Sequence, residues 1–124
     1  MKNNTPKEAE EQRTIFSWAR SNSALKRYPQ IIFLNGSLNG IKLTSGREAG
    51  MAKQQGLVKG YPDINLPVRT GEYNGLYIEL KRIKGGILSP AQKVWIEFLN
   101  SQGYKAVVCK GHLEAIKTIK NYLE

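Results

Sequence analysis

The most constraining feature of this sequence is a pair of alternating runs joined by a short polar connection. Residues 63–69 carry Ile64, Leu66 and Val68 on one parity, and residues 75–82 carry Leu76, Ile78 and Leu80 on one parity. Successive strand side chains point to opposite faces, so both runs read as strands with one apolar face. Residues 70–74 supply a five-residue turn, which predicts an antiparallel pair. The other face then gathers charge. Glu79 and Lys81 project together, Asp63 falls opposite Lys81, and Asp63 lies diagonal to Glu79 with backbones roughly 5–8 Å apart.

The rest of the chain surrounds that pair with helices. Thr5 and Pro6 predict a helix start, with Glu8 completing a capping box and Ile15, Phe16, Trp18 and Ala19 giving an apolar face. Residues 31–34 form a short apolar run of strand type. Residues 35–46 are a Gly-, Asn- and Ser-rich loop or hairpin, and residues 47–55 a short helix ending at Gly56. Ser89 and Pro90 open a further helix with Ala91, Val94, Trp95, Phe98 and Leu99 on its buried side, closed by Gly103. Residues 104–109 form a last strand, and residues 112–123 a last helix built on Leu113, Ile116, Ile119 and Leu123. This order predicts one α/β domain over residues 1–124, a mixed central β-sheet flanked by helices.

Two carboxylates converging on one strand face repel each other unless a cation lies between them. With no His or Cys beside them, the oxygens of Asp63 and Glu79 suit Mg²⁺ or Mn²⁺. Lys81 adds a positive group able to orient a water or offset charge on a phosphodiester under attack. By itself such a trio is more often a solvated cross-strand charge pair than a site.

Composition narrows the partner. Nineteen Lys and Arg against ten Asp and Glu leave a formal charge of +9, which favours nucleic acid first and an anionic membrane surface second. No stretch reaches transmembrane length and residues 1–11 lack the apolar core of a signal peptide, so an intracellular, cytoplasmic location is expected. Cys109 is the only cysteine, which excludes an intramolecular disulfide and a cysteine zinc cluster; its apolar surroundings make it a buried strand residue. His112 reads as a capping or surface residue. No aromatic pattern of the RNA-recognition type is present, which ranks RNA binding last.

Gly60-Tyr61-Pro62-Asp63, followed by Glu79-Leu80-Lys81, resembles the PD-(D/E)XK nuclease superfamily. Leu76 through Lys81, Gly85-Gly86, Leu88-Ser89-Pro90, Gln92, Trp95, Leu99 and Gly103-Tyr104 are similar to its VRR-NUC branch as small phage and prophage proteins carry it. Residues 8–12 and Tyr122-Leu123 fit as well. The resemblance implies a restriction-endonuclease-like core and a divalent-metal-dependent DNA endonuclease. It further implies selectivity for branched DNA, such as four-way junctions or flaps, and a homodimer.

Carried onto this chain, the resemblance makes Asp63, Glu79, the backbone carbonyl of Leu80 and a first-helix glutamate the shell of Mg²⁺ or Mn²⁺. Lys81 becomes the catalytic lysine, and Gln92 the glutamine of the following helix. Glu8 is preferred for the glutamate because it shares the helix face of Ile15, Phe16 and Ala19, with Glu11 at the edge of that face in reserve. Helix capping is the rival role for Glu8, and a solvent-facing position the rival for Gln92. Arg47, Lys53, Lys59, Arg82 and Lys84 flank the motifs and would hold the DNA backbone without reading bases. Residues 34–40 depart from the family's glycine-rich consensus, so no DNA contact is assigned there. The alternative is a non-catalytic DNA-binding or adaptor domain on the same fold, which predicts salt-sensitive binding without cleavage.

Overall fold

The computed structural model describes residues 5–37 and 45–124. At its centre lies a sheet in the order β1 (Asn35–Gly36), β2 (Ile64–Leu66), β3 (Leu76–Lys81) and β4 (Lys105–Lys110). The first two pairings are antiparallel and β3–β4 is parallel. A parallel neighbour requires a crossover, and α4 (Pro90–Ser101) supplies it. Asn100 fastens α4 to β4, its side chain exchanging two hydrogen bonds of 3.0 Å with the backbone of Ala106.

The apolar parity behaves as the alternation requires. Ile64, Leu66, Leu76, Ile78 and Leu80 form one buried row packed with Ile15 and Ala19 of α1 (Glu8–Ala19) and with Ala115 and Ile119 of α5 (Gly111–Leu123). Each such Leu or Ile contributes about 1.5–3 kcal/mol on burial, so this layer fixes β3 relative to both helices. Two shorter elements, α2 (Asn22–Arg27) and α3 (Gly46–Gln54), complete the helices of the described residues, and α3 buries no residue. The segment 38–44 of the expected loop or hairpin lies outside the described residues.

Several local expectations change. The run 31–34 is not a strand: Pro29–Phe33 is a 3₁₀ turn, and the Arg20 guanidinium bonds the carbonyls of Ile31, Ile32 and Leu34 from the end of α1. That distant donor satisfies carbonyls a sheet would otherwise claim. Helix α1 starts at Glu8 with Lys7 as N-cap, because the Thr5 carbonyl is engaged by Arg82 at 2.9 Å. The β2–β3 connection is longer than the expected turn. Pro67 cannot donate to a ladder, and Thr70 closes its own ring through the amides of Glu72 and Tyr73. On α4, Val94 and Phe98 face solvent while Trp95 and Leu99 face inward; on α5 Leu113 is exposed and Ala115, Ile119 and Tyr122 are buried. Helix α5 leaves β4 with no intervening loop, so Gly111 sets which face meets the sheet.

Candidate active site

The longer connection moves the strand register by two residues. Ile64 pairs with Ile78 and Leu66 with Leu76, so the ladder's continuation sets Asp63 opposite Glu79, and not opposite Lys81 as the shorter turn predicted. An even shift leaves every side chain on its expected face. Asp63, Glu79 and Lys81 are therefore still together, but they are not solvated: they are 7%, 2% and 7% exposed. Charged side chains are seldom buried to that degree without a partner.

Backbone directions complete one edge of this cluster. The Gly75 carbonyl accepts from the Lys105 amide at 2.9 Å, so in this alternation Glu79 and Lys81 direct their backbone groups to β4, and Leu80 directs its own to the β2 side. Strand β2 stops at Ile64, short of Leu80. The Leu80 amide instead donates to Asp63 Oδ2 at 2.8 Å, and the Leu80 carbonyl is directed to the same edge. Glu79 Oε1 accepts from Gln92 Nε2 at 2.6 Å, while Glu79 Oε2 is buried with no hydrogen-bond partner. Lys81 Nζ stands 3.8 Å from Glu79 Oε1 and 4.0 Å from Glu8 Oε1, distances of charge pairing rather than hydrogen bonding.

Burial governs the carboxyls. It pushes Asp63 up from the usual carboxylate range, against the Leu80 amide that draws it down. Glu79 is pushed up to about 8, first by burial and then by the Asp63 charge, with Lys81 opposing. Near neutral pH the pair thus tends to retain a proton, as like charges in a low dielectric do. An unpartnered buried oxygen, a second carboxylate opposite it and a backbone carbonyl on the same edge fit a hard divalent cation. Among the described residues no three His, Cys, Asp or Glu side chains cluster closely enough to hold a metal alone. The backbone carbonyl and water would have to fill the rest of the shell.

The two first-helix glutamates separate. Glu8 faces Lys81. Glu11 is 1% exposed, and its Oε2 accepts from the backbone amide of His112 and from the His112 ring Nδ1 at 2.7 Å. Glu11 Oε2 is thereby tied to the first turn of α5, while Glu11 Oε1 is buried with no hydrogen-bond partner. Sequence reading missed this pairing; the partners lie far apart in the chain, and the only signal was a lone histidine at a helix start. Gln92 holds two roles at once. Its Oε1 accepts from the Ser89 amide and its backbone amide donates to Ser89 Oγ, closing a capping box, while its Nε2 donates to Glu79 Oε1.

Of the five basic residues, Arg47, Lys53, Lys59 and Lys84 are exposed. Arg82 is half-buried and holds the Thr5 segment by its carbonyl. Cys109 is buried beside Thr118, and burial pushes its thiol up, the opposite of an activated nucleophile. No helix among the described residues is long and apolar enough to cross a membrane.

Known proteins share this fold. The model of the VRR-NUC domain family matches residues 6–113. A solved structure described as a VRR_NUC domain protein superposes with a TM-score of 0.76 at 34% identity, over 99% of this chain and 91% of that one. The mixed sheet flanked by helices is thus an α/β nuclease-like fold. Among curated proteins nothing matches.

Proposed function

The chain belongs to the VRR-NUC domain family, and from that premise we propose that it is a divalent-metal-dependent DNA endonuclease. The observation that carries the reading is the buried Asp63–Glu79 pair with one oxygen unpartnered and Lys81 beside it. Such a pair is costly to a fold that makes no use of it.

Mg²⁺ or Mn²⁺, held by Asp63, Glu79 and the Leu80 carbonyl with Glu8 close by, would supply charge neutralisation at the phosphate and a more acidic bound water. The chain's own groups do the rest. Gln92 fixes Glu79 through Oε1, so that Oε2, buried without a partner, would be the atom offered to the metal. Lys81, between Glu79 and Glu8, orients the attacking water or offsets the charge on phosphorus. Arg47, Lys53, Lys59 and Lys84 hold the phosphate backbone, while Arg82 holds the N-terminal segment through the Thr5 carbonyl. Branched DNA as substrate and a homodimer that presents two sites to paired strands follow from the family resemblance.

The test is a cleavage panel of duplex, flap, splayed and four-way DNA with Mg²⁺ and Mn²⁺, run beside Lys81→Ala and Asp63→Asn. Metal-dependent nicking that both substitutions abolish, with DNA binding largely retained, is the expected result. Equal cutting by Lys81→Ala and the parent would overturn the assignment. Binding without cutting on every substrate would make the domain a DNA-binding adaptor.

A further inference from the structure

Outside the carboxylate cluster, the same sheet face carries a row of five rings in edge contact. Tyr104 meets Tyr77 at 5.3 Å, Tyr77 meets Tyr61 at 5.9 Å, Tyr61 meets Trp95 at 5.0 Å, and Trp95 meets Phe98 at 6.4 Å. The row runs past the site. Tyr77 precedes Glu79 by two residues, Tyr61 precedes Asp63 by two, and Trp95 lies one turn beyond Gln92. Its outer end is open to water: Phe98 is 54% and neighbouring Val94 64% exposed. Neither is needed to seat α4, whose inward side is filled by Leu99 and Trp95.

Trp95 stands as a wall between two apolar hollows. One, of about 230 Å³, lies between the indole and Leu57, Val58 and Tyr61. The other, of about 310 Å³, is lined by Val94, Trp95 and Phe98. The first depends on Gly60, whose positive φ of 88° brings the loop onto α4; a Cβ there would lie 2.6–2.8 Å from Ala91 atoms. The first is smaller than pockets for drug-sized ligands and the second is at their lower limit, and a single flat ring fits either. From Gln92 to Phe98 is a rise of about 9 Å along the helix, two or three nucleotide steps of a stacked strand. Lys59 and Lys93, both exposed, adjoin the lining residues Val58 and Val94 in sequence on a chain of net charge +9. A stable protein–protein contact uses about 20–30 residues a side, far more than this rim offers.

We propose that Trp95, Phe98 and Val94 form a stacking platform for unpaired bases, so that the preferred substrate is DNA with a single-stranded segment beside the scissile phosphate. Bases present a flat apolar face whatever their sequence, and the adjoining lysines meet the phosphates between them. The proposal rests on the nuclease reading and specifies its substrate.

Binding in metal-free buffer tests it without cleavage. Fluorescence anisotropy would compare a blunt duplex, the same duplex with a single-stranded flap, and an oligothymidine, for the parent, Phe98→Ala and Phe98→Tyr. The parent should bind the flap and the oligothymidine at least about 10-fold more tightly than Phe98→Ala does, with duplex affinities within about twofold. Phe98→Tyr, which keeps the ring, should match the parent. Phe98 is half exposed, and circular dichroism melts check that the variants are folded. Loss of duplex and flap binding alike, or of neither, overturns the proposal. So does a parent dimer that becomes a monomer on Phe98→Ala in sedimentation, since the face then joins two copies. If the parent nicks duplex DNA with Mg²⁺ but shows no Phe98-dependent flap binding, the platform falls and the nuclease stands. If Phe98-dependent flap binding occurs with no metal-dependent cutting on any substrate, the platform stands and the nuclease reading falls.

Discussion

Replacing Glu79 by glutamine should make the metal-free protein more stable while ending its response to metal. The substitution removes the charge but keeps the shape, and an amide oxygen accepts from Gln92 Nε2 as the carboxylate oxygen does. The carboxyl stands at about 8 in the folded protein against an ordinary 4.5. At about 1.4 kcal/mol per pH unit the ceiling is about 5 kcal/mol; the proton shared with Asp63 and the nearness of Lys81 bring the expected gain to about 2–3 kcal/mol. The sign follows from proton counting. Between pH 4.5 and about 8 the folded parent holds a proton that the unfolded chain has released, so the parent loses stability as pH rises through that window. A glutamine side chain at position 79 does not titrate. Its advantage should therefore grow from near zero at pH 4.5 to about 6–12 °C in Tm at pH 8.5 and then level off. Thermal melts in chelator from pH 5 to 9 measure this directly. Added Mg²⁺ at about 100 times its Kd should raise the parent by about 3 kcal/mol and leave the variant unchanged. A variant that melts below the parent at pH 8.5, or a gap that is flat with pH, would refute the reasoning.

Other substitutions separate roles that the fold has merged. Gln92→Glu keeps the acceptor of the capping box but sets a third carboxylate against Glu79, so urea melts at pH 6 should change by less than about 1 kcal/mol while cleavage falls at least about 10-fold. His112→Ala leaves the buried Glu11 carboxylate without its ring partner and should cost about 3 kcal/mol in urea unfolding, whereas His112→Asn, which retains a donor near Nδ1, should recover part of it. Gly60→Ala should cost at least about 2 kcal/mol, because it adds both a left-handed strain and a clash with Ala91.

Much of the sheet was legible because parity tolerates error. The turn between β2 and β3 is longer than residues 70–74 suggest, since Pro67 ends the ladder, Thr70 closes a ring and Asn74 is tied to the Gly103 carbonyl. The resulting slip is two residues, so Asp63, Glu79 and Lys81 changed partners without changing face. What alternation could not convey is burial. A polar parity opposite an apolar one ordinarily faces water. Here α4 crosses over that face, and Gln92 and Trp95 enclose it, so an arrangement that would be a weak surface charge pair becomes a desolvated one. The long-range ties were equally hidden: Arg20 converts an apolar run into a 3₁₀ turn, and the amide and ring of His112 hold Glu11 Oε2. Local rules hold through the apolar layer and fail where carboxylates are buried against their own repulsion. A fold that needed only stability would fill that space with apolar side chains. The strain is concentrated where a cation would relieve it, and that coincidence of cost with a fitting donor set argues for a site more strongly than the Glu-x-Lys spacing can alone.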